Sequence, residues 1–389
     1  MRPVLLVSQF IGVFPICGVL GSDHTQLKYS KFSFKSLVSM TVMTATSVLA
    51  ATTTLLVIRE GLTYKAAGDI VYTLANASSM IAFYNLAKRW KSLMGKWAAV
   101  EDSMAGLPTV NVSRSIQILT AYVVCASMCE HTMAILYNRS PCIISLETYY
   151  KECFRHVFSF TKYALWKGIL ASLLGFYMVS AWNFTDLFLM TLSIALSSRF
   201  KQFNLELESI MHLDMDAKYW MKMRGIYNKL ALLTKLVDAN VSTLIWISFI
   251  NNLFFVCLQL LHTTDPFQSI PKMIYSIISF SHLVFRACAV CMTAADVYHS
   301  SKAPMAILFS VPSSSYNIEV QRMTLQVSME NLSLSGCRFF FITRTLMLTV
   351  AGTIATYEIV LLQFRNISPD FSETTAINCT GLYSDDIYE

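Results

Sequence analysis

"TLMLTVAGTIATYEIVLLQF" (residues 345–364) is apolar enough to cross a bilayer as a helix and carries one formal charge, Glu358. A hydrocarbon core asks for about 20 helical residues, which this stretch supplies. At about 100° per residue, Thr345, Thr349, Gly352, Thr356 and Gln363 fall on one stripe about 27 Å long. Ile359 and Val360 flank that stripe near its end, Tyr357 and Phe364 share the neighbouring face, and Glu358 points almost opposite. Such a hydroxyl-and-amide line either bonds helix to helix or lines a watery path that large side chains narrow at one end. The pattern alone leans towards the first. Glu358 needs a partner or water, because a carboxylate at membrane depth is costly.

The rest of the chain agrees with a membrane setting. Of its 389 residues 54% are hydrophobic and 14% charged, with a mean hydropathy of +0.50. A soluble domain of this length could not cover that much apolar surface. The reading is an all-α polytopic membrane protein with seven transmembrane helices, near Phe34–Ile58, Ala67–Leu86, Ser115–Tyr137, Tyr163–Leu196, Ala239–Leu261, Met273–Val297 and Arg338–Phe364. The fourth is longer than a bilayer requires and should tilt or project beyond it. With the N-terminus inside, Lys88, Arg89, Lys91, Lys96, Arg114, Arg199, Lys201, Lys218, Lys222, Arg224, Lys229 and Lys235 are all cytoplasmic. More than twice as many basic residues then lie inside as outside, which sets the N-terminus inside and the C-terminus outside. The net charge of +6 is explained by this asymmetry and needs no nucleic acid partner.

The N-terminal apolar run resembles a signal peptide only superficially. Gln9 and Pro15 interrupt it, and an interfacial helix or re-entrant stretch suits it better. Cys288 and Cys291 form no metal or redox site, lacking a second pair. Cys142 and Cys153 both fall in the second outer loop, where a disulfide could form, with Cys379 as a rival partner. Sequons at Asn138, Asn366 and Asn378 lie outside under this topology. Between spans, residues 198–238 carry Phe203, Leu207, Ile210, Trp220, Tyr227, Leu230 and Leu233 at helical spacing, with a break near Asp214 to Lys218. Residues 315–336 offer Ile318, Met323, Leu325 and Met329 in the same way. Helix-to-helix packing beneath the membrane fits both better than a solvated surface helix. No enzyme motif is present: there is no P-loop, no G-x-S-x-G, no H-E-x-x-H and no dinucleotide-binding glycine set. No cofactor or metal is called for.

The two ends of the chain carry a resemblance. Thr356-Tyr357, five residues, then Gln363-Phe364 at the end of a seventh span resembles the C-terminal motif of insect gustatory receptors. Glu358 after the Tyr is similar to their sugar-receptor branch. "VSQFIGVFPICGV" (7–19), through Gln9, Phe10, Gly12, Pro15 and Gly18, resembles that branch's Q-F-x-G-x-x-P-x-x-G stretch. The resemblance implies a ligand-gated, non-selective cation channel of four subunits, with the seventh helix around a central pore and cytoplasmic helices anchoring the tetramer. It implies an extracellular gate at Gln363 and Phe364, and moves Thr349, Gly352, Thr356, Ile359 and Val360 from helix glue to pore lining. Tyr357 and Glu358 read as packing residues.

The implied ligand is a mono- or disaccharide bound in the outer half of the first six helices. Sugar pockets pair carboxylates and amides with aromatic platforms. The candidates are Asp69, Tyr72, Asn76, Glu130, His131, Tyr137, Trp166, Tyr177, Asn251, Asn252, Gln259 and His282, while Lys167, Asp186 and Arg286 read as buried ion-pair residues. The chain then divides into a cytoplasmic or interfacial segment (1–33), a six-helix ligand-binding bundle (34–300) with cytoplasmic extensions (198–238), an anchor helix (301–336), a pore helix (337–364) and an extracellular tail (365–389). The expected protein is multi-pass in the plasma membrane, a homotetramer or a heteromer with related receptors, contacting lipid and permeant cations. Two rivals share the span count. A G-protein-coupled receptor is disfavoured by the orientation and by the lack of D-R-Y and N-P-x-x-Y, and a secondary transporter by the lack of repeat symmetry.

Overall fold

The computed structural model describes residues 2–19, 21, 24–137, 145–211, 213–263 and 270–367. The elements run α1 (Arg2–Ile11), α2 (Phe34–Glu60), α3 (Tyr64–Ser103), α4 (Ser113–Tyr137), α5 (Leu146–Cys153), α6 (Arg155–Phe158), α7 (Leu165–Ser209), α8 (Ala217–Thr263) and α9 (Ile270–Lys302). They continue with α10 (Pro304–Phe309), α11 (Ile318–Met329), a hairpin of β1 (Ser335–Gly336) and β2 (Phe340–Phe341), and α12 (Arg344–Ile367). Helices α2, α3, α4, α8 and α9 cover five of the seven apolar stretches of the sequence, α7 covers the fourth from Leu165 onwards, and the seventh, expected from Arg338, begins with the hairpin and becomes helical only at Arg344. Among the described residues, five segments are long and apolar enough to cross a membrane: Phe34–Glu60, Ser113–Leu136, Leu165–Ser209, Ala217–Leu261 and Ile270–Phe309.

Length and burial set the architecture. With 45 and 47 residues, α7 and α8 are each about 70 Å long, more than twice a hydrocarbon core of about 30 Å. The most apolar window of α7 is 78% buried, against 22% for α2 and 17% for α4, so α7 runs through the middle. It packs on α9, α4, α8 and α1, while α3 pairs with α8 and α2. The apolar side chains of α2 and α4 point outward, as helices bathed in lipid present them. Side-chain caps begin several helices: Ser33 accepts from the Ser36 amide at 3.2 Å, and Asn317 accepts from the amides of Glu319 and Val320.

Three features depart from the sequence reading. Helix α3 does not stop near Leu86 but continues to Ser103, because Trp90, Leu93, Trp97 and Val100 keep a core-facing stripe going. The N-terminal segment is packed into the bundle, closer to the re-entrant stretch than to the interfacial helix of the sequence reading. Helix α1 packs against α7 and α4, the chain reverses at Gly12 (φ +68°) and again at Gly18 (φ +82°), and Val13, Phe14 and Ile16 are fully buried. Phe14 meets Phe83, Trp90 and Phe188 edge-on at 5.7, 5.2 and 5.7 Å. In α11 the buried stripe is Val320, Met323 and Val327, whereas Ile318, Leu325 and Met329 are exposed. The i, i+3, i+7 spacing of Val320, Met323 and Val327 sets the inner face, and Ile318, Leu325 and Met329 lie off it.

The end of the bundle carrying α10 and α11, called here the anchor end, is a packed second storey. Phe203, Leu207, Ile210, Trp220, Tyr227, Leu230 and Leu233 are all buried there. Polar contacts pin its helices: Arg224 Nε to Glu319 Oε2 at 2.6 Å, Tyr227 Oη to the Ser301 carbonyl at 3.2 Å, and Lys302 Nζ to the Val327 and Ser328 carbonyls at 2.7 and 2.9 Å. The lysine closes the C-terminus of α11, where the helix dipole favours a cation. Arg224 and Arg322 together hold the Glu319 carboxyl below its usual range, the hydrogen bond from Arg224 being the largest cause. Beyond this storey, the hairpin is tied to α8: Asp238 accepts from the Ser335 amide at 2.6 Å and from its hydroxyl. Helix α12 rests on α9 and α8 alone among the long helices it touches appreciably.

Candidate functional site

The polar residues of the inner helix faces meet in one connected set. Its deepest member is an ion pair between Arg286 Nε on α9 and Asp186 Oδ2 on α7, at 2.5 Å, with side chains 2% and 0% exposed. Asp186 also accepts from Ser248 Oγ at 2.5 Å and Asn252 Nδ2 at 3.1 Å, both on α8. Arg286 donates to Asn183 Oδ1 and, at 3.4 Å, to Asn252 Oδ1, and its guanidinium lies 4.5 Å from the Trp182 ring centre. The fold supplies this closeness through helical spacing. Asn183 and Asp186 are three apart on α7, and Ser248 and Asn252, like His282 and Arg286, are four apart on their own helices. Every polar group that faces the pair is thereby within bonding range. A buried ion pair is tolerated only on those terms.

From this base the set climbs towards the opposite end of the bundle. His282 Nε2 lies 3.3 Å from Asn183 Oδ1 and 3.8 Å from Glu130 Oε2 on α4. Glu130 accepts from Ser279 Oγ at 2.6 Å, and Gln259 Nε2 on α8 reaches the same Ser279 at 3.3 Å. An aromatic group closes one side: Trp182 and Tyr72 meet at 5.9 Å, and Phe255 lies 5.0 Å from Trp182 and 6.4 Å from Tyr72. Several buried polar atoms here have no hydrogen-bond partner: Tyr72 Oη, Asn76 Oδ1, Asn251 Oδ1, Gln259 Oε1 and His282 Nδ1. Each such atom costs about 1–3 kcal/mol if left so. Buried groups of this kind are ordinarily met by water or a polar ligand.

Of the candidates from sequence, the structure joins Tyr72, Glu130, Asn252, Gln259 and His282 directly. Asn76 is buried one turn below Tyr72, donating to its carbonyl at 2.9 Å, and Asn251 is buried beside Asn252. The others lie elsewhere. Asp69 is exposed on α3, and Trp166 is 65% exposed with the Lys167 ammonium near its ring. His131 turns from Glu130 to meet Phe176 at 5.4 Å, and Tyr177 Oη bonds Met80 Sδ at 3.5 Å. The side chain of Tyr137 and all of Cys142 and Asn138 are outside the described residues. Asp186 and Arg286 pair as expected, but Lys167 does not join them and donates to the Lys162 carbonyl. The sequence reading did not offer Trp182, Asn183, Ser248 or Ser279 as ligand-binding candidates. Their i, i+3 and i, i+4 spacing to Asp186, Asn252 and His282 was the available signal.

Along α12, the hydroxyls of Thr349, Thr353 and Thr356 each donate to their own helix, four residues back, at 2.9–3.0 Å. That face, with Gly352, is exposed, whereas Met347, Val350 and Ile354 turn to a 380 Å³ apolar cavity against α8 and α9. Among the described residues, the hydroxyls of Thr349, Thr353 and Thr356 therefore bond their own helix and no other. Ile359 is exposed, and the side chains of Glu358, Val360, Gln363 and Phe364 are outside the described residues.

The chain matches known proteins along most of its length. A family model described as trehalose receptor covers residues 1–371. Among Drosophila melanogaster relatives, the gustatory receptor for sugar taste 64a is 31% identical over 93% of this chain and 83% of its own length. Gustatory receptor 5a for trehalose is 30% identical over 94% and 84%. In structure, the insect olfactory receptor OR5 from Machilis hrabei superimposes with a TM-score of 0.69 at 15% identity, covering 93% of this chain and 97% of that one. Its complex with eugenol gives 0.67 at 14% identity, with the same coverage. At that identity the likeness is one of fold. With the multi-span helical architecture and the family match over nearly the whole chain, the conclusion is that this chain is a membrane protein belonging to the insect gustatory receptors, in the sugar-receptor branch.

Proposed function

We propose that the chain is a subunit of a sugar-gated, non-selective cation channel that depolarises a taste or nutrient-sensing cell. It crosses the plasma membrane seven times, with the N-terminus inside and the C-terminus outside, the orientation that the basic residues support. Four copies, identical or mixed with related receptors, surround a pore lined by α12, with Thr349, Gly352, Thr356, Ile359 and Val360 along it and Gln363 and Phe364 at its outer gate. The observation that carries the reading is the set of buried unpartnered polar atoms on Tyr72, Asn76, Asn251, Gln259 and His282, of which His282 lies beside the Glu130 carboxylate and Gln259 shares Ser279 with it. A polyol supplies donors and acceptors to all of them at once, and the Tyr72–Trp182–Phe255 group offers its C–H face a platform. An apolar ligand would leave every one unpaired. The exposed, self-bonded threonine stripe of α12 supports a role towards water or other copies instead of the chain's own helices.

The test is whole-cell current from cells expressing the chain, under a panel of mono- and disaccharides, beside Gln363→Ala, Phe364→Ala and Glu130→Gln. A sugar-evoked cation current independent of G proteins, weakened by Glu130→Gln and altered in gating by the two end substitutions, is expected. Surface-expressed protein with no current under any sugar, alone or with related subunits, overturns the reading. An epitope at the C-terminus reachable on intact cells separates it from the G-protein-coupled alternative.

A further inference from the structure

A second cavity, of 540 Å³, opens between α1, α4 and α7. Its volume is that of a pocket for a drug-sized molecule, about 300–1,000 Å³. It lies away from α12, which rests on α8 and α9, so the pore side of the subunit does not cover it. Its walls are apolar apart from Ser127, Tyr177, Ser180 and Asn183, and no charged residue lines it. Its mouth is formed by side chains turned outward: Leu173 is 61% exposed, Met128 42% and Phe176 40%. On helices embedded in a bilayer, that mouth faces hydrocarbon and not water. Ser127, Ser180 and Asn183 are nonetheless buried in its wall.

Three constraints define the occupant. It enters from the lipid, so its body is apolar. It meets the Ser127 hydroxyl and the Ser180 hydroxyl, which donates to the Phe176 carbonyl at 2.9 Å and can still accept, so it carries a hydrogen-bonding head that donates. It meets no cation or anion, so that head is uncharged, because an ionised group buried without a partner is strongly disfavoured. We propose that this cavity is a binding site for a neutral lipid alcohol drawn from the bilayer. The site reaches the polar set through Asn183, whose Oδ1 accepts from Arg286 while its Nδ2 donates to the Val179 carbonyl at 2.9 Å. An occupant bonded there acts on the residue that orients Arg286 and His282. The proposal requires that the helices be membrane-embedded and does not depend on the ligand of the polar site being a sugar.

The experiment uses the full chain purified into nanodiscs and a long-chain primary alcohol carrying a mid-chain diazirine, cross-linked by light and mapped by peptide mass spectrometry. Labelling is expected on the 123–128 and 173–187 stretches. An unlabelled alcohol of the same length should compete, and the matching carboxylate at neutral pH should need at least about tenfold more. Leu173→Trp, at the exposed mouth, should suppress labelling without touching the core. Ser180→Ala should raise the competing alcohol concentration by about fivefold, the loss of one neutral hydrogen bond. Glu130→Gln should label like the parent. Labelling spread over lipid-facing helices and indifferent to Leu173→Trp, or equal competition by the carboxylate, overturns the proposal.

Discussion

Replacing Arg286 by Met removes the only cation that touches Asp186 among the described residues. The carboxylate keeps two hydrogen bonds, from Ser248 and Asn252, in a place where it is 0% exposed. Breaking one partner out of a buried pair costs about 3–5 kcal/mol, which lowers the folded-to-unfolded ratio by roughly two to nearly four orders of magnitude. Asn183 Oδ1 and Asn252 Oδ1 lose a donor as well. Asp186→Leu in the Arg286→Met background removes the stranded charge, and packed apolar replacements of ion pairs are often near neutral. The double variant should therefore recover most of the loss while remaining below the parent, since Ser248, Asn183 and Asn252 keep unpaired groups. The assay is the monodisperse fraction of fluorescently tagged protein after a temperature series in detergent. If Arg286→Met survives heating like the parent, or the double variant is no better than the single, the pair is not the buried ionic core described here.

Other expectations concern separate parts of the molecule. Gly18→Ala should destabilise the fold by about 1–3 kcal/mol from the left-handed backbone alone, with its Cβ also 2.0 Å from the Gln26 carbonyl oxygen. Gly12→Ala should be milder, since its Cβ meets only the Val38 side chain at 3.3 Å, and surface expression of the two ranks them. Glu319 has its pKa depressed by Arg224, so its contribution is full above the ordinary value of 4.5 and is lost as pH falls through the lower folded value. Thermal stability followed from neutral pH downwards should decline more steeply in that acid range for the parent than for Glu319→Gln. Glu130→Gln retains the Ser279 contact but loses the charge facing His282. It should weaken a sugar response by about tenfold, as expected for one charge-assisted hydrogen bond, without changing protein at the surface.

Much of the fold could be read from the chain because lipid forces a simple grammar on it. Apolar runs of sufficient length announced the helices, and the break near Asp214 to Lys218 corresponds to the turn between α7 and α8. Gly12 and Gly18, noticed as motif letters, turn out to be the two left-handed positions that fold α1 back into the bundle. What stayed hidden was which face of each helix looks inward. A span such as α7, buried on every side over residues 183–193, has almost no amphipathic signal there, so Trp182 and Asn183 looked like any polar interruption of an apolar run. Composition raised Glu130 and His282 separately, and the fold brings them to 3.8 Å of each other. Composition equally raised Trp166 and His131, which tertiary packing sends to the surface and to Phe176.

The burial of Phe14 has a consequence for how the protein is made. Its ring partners are Phe83, Trp90 and Phe188, so the contact that completes its surroundings is translated about 170 residues after it. At about 5–20 residues per second, the N-terminal helix waits roughly 9–35 s on the ribosome before α7 exists to receive it. Throughout that interval its apolar side chains have the bilayer surface as their available cover. Helix α1 is thus seated late although it is made before its partners, and a substitution in it would act on a late step of biogenesis, when α1 slots between α4 and α7.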